Sequence, residues 1–186
     1  MATIATRHYY SNMKSYQRLP VLALIFSIIV AASPSLAEDT TDAGRLAEIN
    51  TMYQDYRQDF PDIGEVSPDT LSHWINSGNV VLVDVRKPKE RAVSQIPKSI
   101  TQEEFEDQLD TFTDRPIVIY CTIGYRSGNF TQDLRKKGVK AFNLEGGILA
   151  WVHHEGTVEH EGATVQQVHV YGQRWSLLPA GFEAVW

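Results

Sequence analysis

The sequence predicts an α/β fold, with a central, mostly parallel sheet flanked by helices. Apolar runs at residues 80–85, 117–120 and 139–144 each indicate a short strand that is buried on both faces. Stretches with helical spacing of their apolar residues separate these runs. Because strands that alternate with helices form parallel sheets covered on both sides, the layered α/β class follows.

Length and composition point to one ordinary globular domain with appendages. The chain has 186 residues, of which 42% are hydrophobic and 8 are prolines. Its formal charge is −6, and the only charged residues before Glu38 are three basic ones, so the charge from Glu38 onward is three units more negative, −9. Such acidity opposes binding to nucleic acid and to anionic membrane surfaces.

The N-terminus has the features of an export signal. Residues 19–32 form an apolar run after basic residues, and a Ser-Leu-Ala motif ending at Ala37 has small residues at the two positions that signal peptidase recognises. We therefore expect residues 1–37 to be a signal peptide, and the mature protein to be periplasmic or otherwise exported, without stable membrane insertion. A retained anchor is the alternative, although the run is shorter than the ~20 residues that span a bilayer. A start at Met13 would make the signal more compact.

The segment before the first buried strand predicts two helices and an edge strand. Residues 38–66 comprise a polar linker and, from 45 to 60, apolar side chains at three- and four-residue spacing. Residues 63–66 form a short edge strand in this interpretation. Ser67 is followed directly by a proline, which is typical of a helix N-cap.

Charged residues close the strand at residues 80–85. Asp84 and Arg86 lie at its carboxyl end, the edge of a parallel sheet where α/β proteins bind ligands. Arg86 is therefore a candidate for substrate binding, and Asp84 is a structural residue near the site, with an internal ion pair as the alternative. Residues 87–99 form a proline-punctuated connection, and a Thr-x-x-Glu capping box at Thr101 starts the next helix.

The only cysteine, Cys121, directly follows the strand at residues 117–120. The residues after it are Thr122, Ile123, Gly124, Tyr125, Arg126 and Ser127. Helical spacing begins at the last of these and ends before Gly138. A glycine in such a loop allows successive backbone N–H groups to point inward as an anion nest. A cysteine at a helix N-terminus, beside an arginine, favours the nucleophilic thiolate, so the loop predicts a catalytic site.

An inert role for Cys121 is the alternative, because a lone cysteine at the end of a buried strand is usually a small core residue. Its polar and basic neighbours suit an anion-binding loop better than a core. Export strengthens the reactive interpretation, since an unpaired cysteine in an oxidising compartment is a liability unless it is shielded or used. A single cysteine also excludes an intrachain disulfide and a cysteine-based zinc site.

The last part of the chain predicts one more helix and a packed extension. A double glycine after the strand at 139–144 turns the chain into a short helix at 148–151. Histidines and glutamates at 153–161 fit no standard zinc spacing, so we predict no metal site. Residues 165–171 alternate like a half-exposed strand, and large apolar side chains follow. We predict that the extension at 157–186 packs on the domain; a docking surface for a protein partner is the alternative.

Five segments resemble single-domain rhodaneses, the family of thiosulfate sulfurtransferases. They are Leu82-Val-Asp-Val-Arg86, Gln95-Ile-Pro97, Cys121-Thr-Ile-Gly-Tyr-Arg-Ser127, the helix stop at Gly138 with its strand, and Leu144-Glu-Gly-Gly147 with Trp151. The resemblance covers residues 67–156 and implies the three-layer rhodanese-like fold. The C-x4-R spacing of the cysteine loop is that of the sulfurtransferases, whereas the related phosphatases use C-x5-R.

The resemblance implies sulfur transfer by double displacement, without a cofactor. Cys121 thiolate takes the outer sulfur of a small anionic donor such as thiosulfate, and a thiol or cyanide acceptor then removes that sulfur. Backbone N–H groups of residues 122–126 would hold the anions, and Arg126 would bind the donor. The Ser127 hydroxyl would cap the helix and bond toward the sulfur. Alternatively, Arg126 only anchors the loop to a carboxylate.

Two other functional classes stay open. A phosphatase or an arsenate-type reductase would use a similar cysteine loop, although the loop length argues against this class. A sulfur-carrying or redox-sensing module would use the same cysteine, with a partner protein as its acceptor. The sequence does not separate this module from the enzyme.

Overall fold

The structure is a computed structural model that describes residues 41–112 and 114–186. The expected signal peptide, its cleavage site and the alternative start at Met13 lie outside these residues and stay predictions. Among the helices of the described ranges, none is long and apolar enough to cross a membrane.

Five strands form a parallel sheet at the centre of the described domain. They are β1 (Gly64–Val66), β2 (Val81–Asp84), β3 (Ile100–Thr101), β4 (Ile117–Tyr120) and β5 (Ala141–Leu144). Their order across the sheet is β1-β5-β4-β2-β3, and every pairing in it is parallel. This topology confirms the predicted α/β fold, including the short edge strand before Ser67.

Six α-helices in the described ranges accompany this sheet. They are α1 (Asp42–Arg57), α2 (Pro68–Asn76), α3 (Pro88–Arg91), α4 (Gln102–Asp107), α5 (Tyr125–Lys136) and α6 (Gly147–His153). Short 3₁₀ turns lie at Leu109–Thr111 and Gln173–Trp175.

The central strand β4 is buried on both faces. Val118 and Tyr120 belong to a hydrophobic cluster that includes residues of α1, α2 and α6. Ile117 and Ile119 belong to a second cluster, with residues of α4 and α5. Successive side chains of a strand point to opposite faces, so these two clusters lie on opposite sides of the sheet. The three-layer arrangement explains why the sequence of β4 is continuously apolar.

Helix starts confirm two sequence predictions and add one helix. Ser67 and Thr101 are N-caps whose side chains accept backbone N–H groups of the following turns. The connection at 87–99 was predicted without a helix but contains α3. The Glu90 carboxylate accepts the Lys87 N–H at 3.0 Å, which closes the N-terminus of this short helix.

The C-terminal extension adds four short strands. They are β6 (Val158–His160), β7 (Ala163–Val165), β8 (Gln167–His169) and β9 (Glu183–Val185). The strand predicted over 165–171 is present but shorter, as β8, and only Val165 at its start belongs to a different strand, β7. β7 pairs antiparallel with β6, and β8 pairs parallel with β9.

Apolar side chains of the extension are buried against the domain. Val168, Val170, Leu177 and Leu178 belong to the same hydrophobic cluster as residues of α1 and α6. The hairpin of β6 and β7 also joins the connection before β3, through backbone hydrogen bonds of 2.9 and 2.8 Å between Gln95 and Glu159. The extension therefore contributes to the core.

Candidate active site

Cys121 lies directly after β4, at the carboxyl edge of the parallel sheet. The residue is only 1% exposed. The Gly124 N–H donates to Cys121 Sγ at 3.2 Å, and the Ser127 hydroxyl donates to the same sulfur at 3.4 Å. Two donors aimed at one sulfur atom stabilise negative charge on it.

Gly124 ends the cysteine loop and sets the start of α5. Its φ is +102°, in the left-handed region, and the Gly128 N–H donates to its carbonyl at 2.9 Å. The helix therefore begins at Tyr125, two residues before the predicted start. Ser127 lies within the first turn of α5 and does not cap it, so that predicted role is wrong, whereas its contact with the sulfur is present.

The first N–H groups of α6 hold the carbonyls of the cysteine loop. The Ile148 N–H donates to the Cys121 carbonyl at 2.9 Å, and the Leu149 N–H donates to the Thr122 carbonyl at 3.2 Å. Gly147 permits this close approach, because a Cβ there would lie 2.5 Å from the Cys121 carbonyl oxygen. The double-glycine turn predicted from the sequence thus positions α6 against the site.

Asn143 on β5 is a site residue that the sequence analysis missed. Its buried Nδ2 donates to the Gly124 carbonyl at 3.0 Å and to the Tyr53 hydroxyl at 3.1 Å. Tyr53 in turn donates to the Glu65 carboxylate. Burial and this hydrogen bond raise the pKa of Tyr53, so its phenol keeps the proton that it donates. The sequence did contain a signal for this residue, because an amide side chain within a strand predicted to be buried needs hydrogen-bond partners.

Arg126 anchors the loop to a buried carboxylate. Its Nη1 and Nη2 donate to the two carboxylate oxygens of Glu90 at 2.7 and 2.8 Å, and Nη2 also donates to Thr122 Oγ1 at 3.0 Å. Burial by itself would raise the pKa of Glu90, but hydrogen bonds from Arg126 and from the Lys87 N–H lower it to about 2. The ion pair is therefore formed at neutral pH. A role for Arg126 in donor binding stays a prediction.

Glu90 is the second residue that the sequence analysis missed. It is fully buried. Glutamates are almost never fully buried unless they are paired with a cation, as Glu90 is with Arg126. The signal was the Lys87-Pro-Lys-Glu90 sequence, because a proline and a glutamate at these positions are typical of a helix start.

Asp84 and Arg86 form an internal ion pair. Arg86 Nη2 donates to Asp84 Oδ2 at 2.7 Å and to the Ser94 carbonyl at 2.7 Å, and neither charged side chain is exposed. The Tyr120 hydroxyl also donates to Asp84 Oδ2, at 2.7 Å. This geometry does not support the predicted substrate-binding role of Arg86. Its side chain turns inward to fix the connection after β2 and does not line the cavity beside Cys121.

A cavity of about 420 Å³ adjoins Cys121. The residues that line it are Tyr56, Cys121, Thr122, Ile123, Tyr125, Arg126, Tyr171 and Trp175. Tyr56 comes from α1, and the last two aromatic residues come from the C-terminal extension. The guanidinium carbon of Arg126 lies 5.4 Å from the centroid of the Tyr171 ring, a cation–π distance. The structure thus brings the predicted loop residues together around the sulfur and adds aromatic residues from distant segments.

Comparison with known proteins identifies the family. Residues 67–154 match the rhodanese-like domain. Over 97 residues the chain is 33% identical to a protein named sulfurtransferase from Allochromatium vinosum, a match that covers 50% of this chain and 91% of that protein. This similarity shows that the chain belongs to the rhodanese family.

Two further relatives show how much of other chains the match covers. Over 90 residues the chain is 37% identical to the uncharacterized protein slr1261 of Synechocystis sp., a match that covers 46% of this chain and 50% of that protein. The chain thus spans about half the length of this relative. A solved structure of a rhodanese-like domain protein from Staphylococcus aureus is 30% identical, with a TM-score of 0.43, and the match covers 54% of this chain and 95% of that one.

Proposed function

We propose that this protein is a sulfurtransferase that carries sulfane sulfur on Cys121 as a persulfide. The observation that carries the proposal is the environment of Cys121 Sγ, which lines a cavity and receives hydrogen bonds from the Gly124 N–H at 3.2 Å and the Ser127 hydroxyl at 3.4 Å. Both donors would hold a thiolate, and equally the anionic persulfide that replaces it.

In the first half of the reaction, Cys121 thiolate attacks the outer sulfur of thiosulfate or a similar anionic donor. A new S–S bond forms at Cys121, the S–S bond of the donor breaks, and sulfite leaves with its electron pair. No proton transfer is required, because an anion attacks and an anion leaves. Hydrogen bonds at the site therefore act by stabilising negative charge.

In the second half, a nucleophilic acceptor takes the terminal sulfur from Cys121. A thiolate or cyanide attacks this sulfur, the S–S bond to Cys121 breaks, and the cysteine returns to its thiolate form. The products are an organic persulfide or thiocyanate. Both halves use the same cavity, so donor and acceptor act in turn.

Phosphate ester hydrolysis has less support from the same loop. Only six residues run from Cys121 to Arg126, which leaves a small nest of N–H groups for a tetrahedral phosphate. The Arg126 guanidinium, which would bind phosphate oxygens, is held by Glu90 in a two-point ion pair.

Intact mass spectrometry and a turnover assay test the proposal. Incubation with thiosulfate should add one sulfur atom to the protein, and cyanide should remove it as thiocyanate. Cys121→Ser should lose both steps while its thermal unfolding curve matches that of the wild type, because a hydroxyl does not form a stable persulfide. Undiminished transfer in Cys121→Ser, or comparable hydrolysis of an aryl phosphate, would refute the assignment. A persulfide that forms but reacts with no small acceptor would favour a carrier for a partner protein.

A further inference from the structure

Four aromatic side chains form the mouth of the cavity beside Cys121. This aromatic mouth comprises Tyr56, Tyr125, Tyr171 and Trp175. The Tyr56 and Tyr125 ring centroids lie 5.3 Å apart, and those of Tyr171 and Trp175 lie 5.6 Å apart with the rings nearly perpendicular. Aromatic pairs at these separations pack favourably. The two rings of each pair therefore pack against each other and form part of the cavity wall.

Three of the four rings come from outside the matched family domain. Residues 67–154 match that domain, whereas Tyr56 precedes it and Tyr171 and Trp175 follow it. The flanking segments of this chain therefore decide what surrounds the reactive sulfur beyond the cysteine loop.

The charge at the mouth is small. Apart from the reacting Cys121 thiolate, Arg126 is the only lining residue that carries a formal charge, and both of its terminal nitrogens are bound by the buried Glu90 carboxylate. Its guanidinium also lies over the Tyr171 ring. An inorganic dianion gains little from a cation that is already paired, because the opposite charge of the partner cancels most of the attraction.

The cavity volume matches an organic ligand. About 420 Å³ lies within the range of roughly 300–1,000 Å³ that is typical of small-molecule sites. Such sites are mainly apolar and aromatic, with a few polar groups that fix orientation. Here the polar groups surround the sulfur, and the rings surround the space in front of it.

We propose that this site prefers sulfur compounds that carry an apolar organic group about the size of one aromatic ring. This inference rests on the proposed function, because it concerns the compound that reacts with Cys121. With an organic thiosulfonate, the Cys121 thiolate attacks the terminal sulfur, the S–S bond of the donor breaks, and an organic sulfinate leaves with the electron pair. With an organic persulfide, the leaving group is the organic thiolate. Each step forms one S–S bond and breaks one.

Two matched donors test this preference on the full chain. Methanethiosulfonate and benzenethiosulfonate have the same reacting group and charge and differ only in the organic group. The ratio of kcat/KM for the benzene compound to that for the methane compound should be about tenfold or more, since even one methylene in an apolar pocket gives roughly tenfold discrimination. Replacement of an aromatic side chain of the mouth by alanine should lower this ratio, because contacts between that side chain and the donor's ring favour only the benzene compound.

Tyr171→Ala is the main variant, because Tyr171 is 54% exposed and its loss leaves no buried cavity. Tyr56→Ala is a second variant, on a different element. Trp186→Ala is the matched control, since Trp186 belongs to the same extension, is 63% exposed and does not line the cavity. The ratio should fall at least about threefold in both mouth variants, which remove part of a discrimination of roughly tenfold or more, and should stay unchanged in the control.

The outcomes separate this inference from the proposed function. Equal kcat/KM for the two donors in the wild type, or an unchanged ratio in both mouth variants, would overturn the inference and leave sulfur transfer standing. If none of the three donors (the two organic thiosulfonates and thiosulfate) adds sulfur to Cys121, the proposed function is overturned, and this inference with it.

Discussion

Glu90 and Arg126 form a two-point ion pair although 36 residues separate them in the sequence. Glu90 lies on α3 and is fully buried, whereas Arg126 lies in the first turn of α5 and keeps 29% of its side chain exposed. Thr122 in the cysteine loop also bonds to the Arg126 guanidinium, at 3.0 Å. The pair therefore ties the connection after β2 to the loop that carries the reactive sulfur.

Removal of one partner should destabilise the protein. In Arg126→Gln the buried Glu90 carboxylate loses its cation, and we expect the free energy of unfolding to fall by about 2–3 kcal/mol, less than the roughly 3–5 kcal/mol of a fully buried pair. This exceeds the small effect expected for an exposed loop charge. The free energies of unfolding in urea of the wild type, Arg126→Gln, Glu90→Gln and the double variant form a double-mutant cycle that measures the interaction. Additive losses would show that the two residues do not interact.

The same pair should make stability depend on pH. The pKa of Glu90 falls from its usual 4.5 to about 2 in the folded protein, so the unfolded chain binds a proton at a pH where the folded protein does not. The contribution of the Glu90 carboxylate to the free energy of unfolding is fully present above about pH 4.5 and is lost as the pH falls toward 2. The free energy of unfolding changes over this range by up to about 1.4 kcal/mol per pH unit.

Urea unfolding between pH 6 and 2 measures this dependence. The difference in unfolding free energy between the wild type and Glu90→Gln should be largest at pH 6 and should shrink through the acid range, because the protonated carboxyl resembles the amide. A constant difference over that range would contradict the shifted pKa.

Two glycines with similar backbone angles should respond differently to alanine. Gly124 has φ +102° and Gly138 has φ +85°, but only at Gly124 would a Cβ clash, 2.5 Å from the Tyr53 ring. Gly138→Ala should cost only backbone strain, about 1 kcal/mol. Gly124→Ala should cost more and should also slow alkylation of Cys121 by iodoacetamide, since its N–H would move from the sulfur. Equal effects on stability and on thiol reactivity would contradict the contact with Tyr53.

Deletion of residues 165–186 should destabilise the domain. Four aliphatic side chains of this segment are buried in the main hydrophobic cluster: Val168, Val170, Leu177 and Leu178. Full burial of such a side chain contributes about 1.5–3 kcal/mol, which makes a loss of several kcal/mol the expectation. Thermal unfolding of the truncated chain measures it, with Trp186→Ala as the control for the exposed end. An unchanged midpoint with retained sulfur transfer would instead indicate a detachable docking tail.

Local patterns were enough to predict most of the sheet. A strand that is buried on both faces must be apolar at every position, so β2 and β4 are visible as short apolar runs. Caps are equally local, and Ser67 and Thr101 therefore marked their helices correctly. The strand at 165–171 is shorter than predicted, since alternation along a segment does not show how far its partner strand extends.

The sequence by itself determined the cysteine loop. Cys121, Gly124 and Arg126 are neighbours in the chain, and a buried strand, a glycine turn and a helix start fix where such neighbours lie. The tertiary structure alone decided what this loop touches. Glu90 pairs with Arg126, Asn143 holds the loop, and three rings from distant segments complete the aromatic mouth beside Tyr125. Such contacts between remote segments depend on how the layers pack, and no local pattern of residues encodes that packing. Arg86 differs, because its ion pair with Asp84 is local and was the alternative that the sequence left open.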